Sequence, residues 1–192
     1  MAKRQTAMGG NPKIEAFKQF QYFIADYRRF AGKKKLRMLF IWMTVSVISV
    51  LFYRIERFLF LFFGERIYRI LRLLWFPVLE IVKSLSNIDI NYSANIGPGI
   101  LILHSSLGIV ISGKATIGHN LTLVGGNVIG IENARSKKEM FIIGNNVSLG
   151  ANAVIIGPVR IGDNVKIGAQ ACVVKNAPSN STLVGAPARI HQ

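Results

Sequence analysis

Residues 143–173 read IGNNVSLGANAVIIGPVRIGDNVKIGAQACV, and their spacing decides the fold. An aliphatic side chain recurs at every sixth position: Ile143, Leu149, Ile155, Ile161, Ile167 and Val173. A helix would repeat at roughly 3.6 residues and a simple strand at about two. A period of six describes instead a short strand and its turn, repeated, with one deeply buried position in each unit. Gly follows the aliphatic residue at 144, 150, 162 and 168. Four positions after it comes another small or apolar residue: Val147, Ala153, Val159, Val165 and Ala171. Asn146, Asn152, Pro158 and Asn164 lie three after it, where Asn or Pro can form a corner. Three such units close a triangular coil, and stacked coils bury a continuous core.

The same count extends upstream through Ile111, Ile117, Leu123 and Ile129, and before them through Ile90, Ile96 and Ile102. It fails twice. Between Ile102 and Ile111 the spacing is nine, which leaves three residues out of phase around the run from His104 to Gly108. Between Ile129 and Ile143 it is fourteen, so a loop at about residues 130–141 should project from the stack. That loop holds Asn133, Arg135, Lys137 and Lys138. Functional residues often ride on departures from a rigid scaffold, although insertions are also tolerated at repeat corners without purpose.

The first half of the chain is written differently. Residues 1–83 hold 16 Lys/Arg against 5 Asp/Glu, whereas residues 84–192 hold 8 against 4. Most of the net charge of +15 therefore sits beside the most apolar segments. That company argues against nucleic acid and for an anionic lipid surface. Residues 12–32 read as a helix of mixed faces. Residues 38–53 contain no formal charge, a borderline length for crossing a bilayer. Arg66, Arg69 and Arg72 recur every third residue among Ile67, Ile70, Leu71, Leu73, Leu74, Trp75 and Phe76, as on an in-plane amphipathic helix that Pro77 should kink or interrupt. The sequence thus predicts a membrane-associating helical region over 1–83, a hairpin dipping into one leaflet. Helices packed together as a soluble domain or at an oligomer interface are the alternative. The lone cysteine, Cys172, excludes an intrachain disulfide and offers no Cys-rich metal site, so no metal is expected. The expected fold class is mainly β: a parallel β-helix over 84–192, preceded by N-terminal α-helices.

Several motifs in 84–192 carry a resemblance: Ile88-Asp89-Ile90, Gly97-Pro98-Gly99, Leu103-His104, the run Gly108 to Ile111, Val124-Gly125-Gly126, and the close from Leu183 to Ile190. Together they resemble the hexapeptide-repeat acyltransferases, within them the serine acetyltransferase-like branch. The resemblance implies a left-handed β-helix, a homotrimer, acyl-CoA sites between subunits and acetyl-CoA as co-substrate. It implies His104 as catalytic base and Asp89 as the carboxylate that orients it. Gly125 and Gly126 match the glycine pair near the thioester. Gly150, Ala151 and Lys166 match the pantetheine and phosphate channel, with Arg189 near its end. The residue types suit the chemistry. A hydroxyl is a weak nucleophile at neutral pH, and an imidazole can take its proton as attack begins. A carboxylate on the far ring nitrogen would fix the tautomer, and glycine N–H groups could stabilise the thioester oxyanion.

Serine acetyltransferases carry a second histidine before the late repeats, yet no His lies between His119 and His191. Glu139 and Met140 are the nearest candidates for that acceptor-facing place, and Glu139 would repel an amino-acid carboxylate. These departures resemble polysaccharide-biosynthesis O-acetyltransferases. They predict transfer to a sugar hydroxyl of a membrane-associated, lipid-linked capsule, exopolysaccharide or O-antigen precursor, at the cytoplasmic face of a bacterial membrane. Serine O-acetylation and a catalytically silent β-helix are the competing readings.

Overall fold

The computed structural model describes residues 11–32, 35–131 and 141–185. Three helices come first: α1 (Pro12–Ala31), α2 (Lys35–Phe40) and α3 (Val45–Ser86). Helix α1 starts where the sequence offers a cap. Asn11 Oδ1 accepts the Lys13 N–H at 3.0 Å, Pro12 occupies the first turn, and Gly32 ends the helix at a φ of 64°. The long helix α3 ends at Asn87, which adopts the left-handed conformation at a φ of 54°. It bends at Gly64 (φ 78°, ψ 165°) rather than at Pro77, which the helix carries within it. Glycine enters that conformation at no steric cost, so it absorbs the bend expected of the proline.

Fourteen short strands follow in chain order. The first coil comprises β1 (Ile88–Ile90), β2 (Asn95–Ile96) and β3 (Leu101–Ile102), and the second β4 (Ile109–Ile111), β5 (Ala115–Ile117) and β6 (Thr122–Leu123). The third has β7 (Asn127–Ile131), β8 (Phe141–Ile143) and β9 (Ser148–Leu149), and the fourth β10 (Val154–Gly157), β11 (Arg160–Ile161) and β12 (Lys166–Ile167). Strands β13 (Cys172–Val173) and β14 (Thr182–Leu183) close the stack. Three parallel sheets form its sides, in the orders β1-β4-β7-β10-β13, β2-β5-β8-β11 and β3-β6-β9-β12-β14. Every aliphatic residue of the six-residue series lies in one of these strands with its side chain inside. The register is direct: Ile90 lies beside Ile111, then Ile129, Ile155 and Val173.

At one edge the corner residues Asn120, Asn146, Asn164 and Asn180 take φ values of 57–64°. Each side-chain amide donates to the next at 3.0 Å, forming a ladder down the stack. The projecting loop falls outside the described residues between 132 and 140.

Of the described residues, 45% are helical and 23% lie in strands, so the protein is a mixed α/β structure and not the mainly β one expected. The helices supply the difference, since α3 alone has 42 residues. Their destination also corrects the membrane reading. Phe30, Ala31, Ile41, Val47, Val50 and Tyr53 join the buried cluster of the β-helix. Polar groups fix that docking. Asp26, wholly buried, accepts the Gly99 and Ile100 N–H groups at 2.6 and 2.9 Å and pairs with Arg54 at 2.9 Å. Burial pushes the Asp26 carboxyl up from its ordinary value, against the pull of Arg54 and the two N–H groups. Arg54, 2% exposed, also donates to Gln19 Oε1 and to the Ile96 and Gly97 carbonyls at 2.7 and 2.8 Å. Arg29 reaches the Gly99 and Leu121 carbonyls and Thr122 Oγ1.

Several basic residues read as lipid-facing are thus spent on the protein's own carbonyls and carboxylates. No helix among the described residues is long and apolar enough to cross a membrane. These findings overturn the predicted membrane partner and membrane localisation.

Candidate active site

The first phase break becomes a turn. After β3 the chain reaches His104, then makes a 3₁₀ turn over Ser105–Leu107, and Gly108 (φ 83°) returns it to β4. The three out-of-phase residues are that turn, and they leave the His104 side chain exposed at a corner. Its backbone N–H donates to the Val124 carbonyl at 2.9 Å, which stacks the corner on the next coil. There Gly125 and Gly126 follow β6, and one coil further Gly150 and Ala151 follow β9. The Asn152 N–H donates to the Gly125 carbonyl at 2.8 Å, and the Gln170 N–H to the Ala151 carbonyl at 2.9 Å. His104, Gly125, Gly126, Gly150 and Ala151 therefore line one corner of successive coils. Lys166 is exposed on β12, opposite Ser148 and two residues before its own coil reaches the same corner.

Asp89 sits elsewhere in detail. It is exposed on β1, and Lys83 of α3 holds its Oδ1 at 2.9 Å. Glu80 lies 3.7 Å from the same ammonium group. The Ile109 N–H donates to the Asn87 carbonyl at 2.8 Å, so the lead-in to β1 abuts the chain leaving the His104 turn. Among the described residues no hydrogen bond joins Asp89 to the His104 imidazole. Arg189, Glu139 and Met140 lie outside the described residues.

The glycine pair is explained by space. A Cβ on Gly125 (φ 143°) would lie 2.4 Å from the His104 carbonyl oxygen, and one on Gly126 (φ 68°) 1.9 Å from Asn152 Oδ1. Only glycine lets the coils close here. Their N–H groups are already committed: Gly125 donates to Asn127 Oδ1 at 2.9 Å and Gly126 to the Gly108 carbonyl at 2.7 Å. In this conformation neither is open to the oxyanion role expected of it.

Two residues escaped the reading of the sequence. Lys83 was counted only as one basic residue among many. Asn127, 1% exposed, is the other, and a signal for it existed. It stands four after Leu123, a place otherwise held by small or apolar residues such as Val147, Ala153 and Val165.

The fold and the repeat define a hexapeptide β-helix with a histidine-bearing corner, and comparison with known proteins narrows the class. The family model described as bacterial transferase hexapeptide (six repeats) matches residues 142–175. Serine acetyltransferase of Mycobacterium tuberculosis is 34% identical over 119 residues, 62% of this chain and 52% of that protein. Chloroplastic serine acetyltransferase 1 of Arabidopsis thaliana is 42% identical over 103 residues, 54% of this chain and 32% of that one. Among solved structures, serine acetyltransferase of Neisseria gonorrhoeae superposes with a TM-score of 0.74 at 26% identity, covering 90% of this chain and 66% of that one. The soybean serine acetyltransferase apoenzyme also gives 0.74, at 27% identity, covering 92% and 72%. The chain spans about half the length of the curated relatives it matches.

This similarity supports an enzymatic acetyltransferase activity. It overturns the placement with polysaccharide-biosynthesis O-acetyltransferases, and with it the capsule, glycan and lipid-linked acceptors, since nothing in these matches points there. The missing second histidine and the apolar helices had carried that placement. Helix α1 and the first part of α3 turn out to pack on the β-helix instead.

Proposed function

We propose that this protein is an acetyl-CoA-dependent serine O-acetyltransferase. The observation that carries the reading is the similarity to serine acetyltransferases, joined to the stacking of the His104 turn on Gly125 at one corner. Small residues in successive coils leave room along that corner for the pantetheine arm of acetyl-CoA, and Lys166 offers a cation for its phosphates. His104 takes the proton from the serine hydroxyl as its oxygen attacks the thioester carbonyl. The tetrahedral intermediate then expels the coenzyme A thiolate, which takes the proton back from the imidazolium. Transfer is direct, with no acetylated residue. Asp89 is the carboxylate assigned to orient the imidazole, in a place where Lys83 already holds one of its oxygens. By the same resemblance Arg189 is assigned to the donor side and Glu139 and Met140 to the acceptor side.

Release of coenzyme A thiol from acetyl-CoA by the purified chain tests this. Serine-dependent release is expected, and His104→Ala should lower kcat about 10²–10⁴-fold, the range for loss of a general base. Release that ignores serine, or survives the substitution unchanged, would overturn the reading.

A further inference from the structure

The side-chain amide of Asn127 is enclosed in the β-helix, and all its bonds go to backbone at the candidate corner. Its Oδ1 accepts the Gly125 N–H at 2.9 Å. Its Nδ2 donates to the Gly150 carbonyl at 2.7 Å and to the Ala153 carbonyl at 3.2 Å. The equivalent places in other coils hold Ala94, Ile100, Ala115, Leu121, Val147, Ala153, Val159, Val165, Ala171 and Ala177, all buried. Among the described residues Asn127 is the one buried polar side chain at such a place, and it directly follows the turn that lies against the His104 carbonyl. A buried amide is costly unless every group finds a partner, so a scaffold alone would favour valine or alanine there.

The partners give the amide a purpose. The Gly125–Gly126 turn lies in a region of φ that only glycine enters easily, and glycine is also free to leave it. Asn127 ties the Gly125 N–H to the Gly150 and Ala153 carbonyls of the next coil, while the Gly125 carbonyl accepts from Asn152. Two stretches of backbone that line one corner are thereby locked to each other by one side chain added to the backbone bonds between them. We infer that Asn127 is a positioning residue for the donor substrate, holding the Gly125–Gly126 and Gly150–Ala151 turns at the separation a thioester-bearing pantetheine arm requires. This rests on the corner being the acetyl-CoA site.

The test uses Asn127→Val, which installs the residue that the repeat itself places at three other such positions, Val147, Val159 and Val165. Acetyl-CoA binding is measured by titration calorimetry, and steady-state rates are measured with acetyl-CoA and serine varied in turn. The variant should fold with an unchanged far-UV spectrum. Its acetyl-CoA dissociation constant and KM should each rise about tenfold, with the KM for serine within twofold of wild type, because the effect is confined to the donor. A folded variant with wild-type donor affinity overturns the inference. So does a variant that cannot fold, since the amide would then serve the scaffold alone. If the wild-type chain itself binds no acetyl-CoA, the donor-site reading fails first, and the calorimetry shows this independently of any acceptor.

Discussion

The two arms of α3, on either side of the break at Gly64, have opposite fates. The first arm carries Arg54, Glu56 and Arg57, all buried. The second presents Ile67, Ile70, Leu74, Ile81 and Leu85 outward, each more than half exposed in the single chain. Hydropathy would assign these places the other way round. The charges of the first arm enter because partners wait for them: Asp26, the Ile96 and Gly97 carbonyls, and the Tyr92 and Ser93 carbonyls under Arg57. Glu56 receives the Tyr68 hydroxyl at 2.6 Å and Arg72 at 3.0 Å from across the bend, and burial together with Glu56 pushes the Tyr68 phenol up. A helix is drawn into a core by what its polar groups can satisfy as much as by its apolar area.

The comparison can be broken in three places. Arg54→Met should cost about 3–5 kcal/mol of stability in urea unfolding, because it leaves the Asp26 carboxylate buried without its cation. A loss below about 1 kcal/mol would mean the first arm is held by apolar contact alone. Tyr53→Phe removes a hydroxyl that donates to the Ala94 carbonyl at 2.9 Å and accepts the Ile96 N–H at 3.3 Å. Its expected cost is about 1–2 kcal/mol, read by the same unfolding midpoint. Leu74→Glu, on the outer face of the second arm, should change the unfolding free energy by no more than about 0.5 kcal/mol. A large loss there would show that this face is covered in the folded protein.

The β-helix was legible because its rule is local and repeated. Each aliphatic residue from Ile90 to Val173 identifies its own strand, and Asn146, Asn152 and Asn164 mark their corners without reference to distant residues. The His104 break was legible for the same reason, as a fault in a regular count. What stayed hidden depends on long-range partners. Nothing in the text around Arg54 shows that Asp26, 28 residues earlier, will meet it over the Gly97 corner. The uncharged run at 38–53 therefore read as lipid-seeking, though it supplies Ile41, Val47 and Val50 to the core. Gly64 was overlooked as a bend because Pro77 carries the stronger local rule. At the site, the engagement of the Gly125 N–H by Asn127 exists only once coils are stacked, so the sequence suggested an oxyanion donor where the structure has a tether.

The asparagine ladder has a consequence for how this chain tolerates change in length. Its rungs are 26, 18 and 16 residues apart in sequence, yet each amide meets the next at 3.0 Å. Rung spacing in space is thus indifferent to how much chain is spooled between rungs. A coil can pay out an eight-residue excursion and still deliver its asparagine to the same spot, so the ladder acts as an indexing rail. New loops can be spliced in at the far corners without re-threading the turns that hold His104 and Gly125.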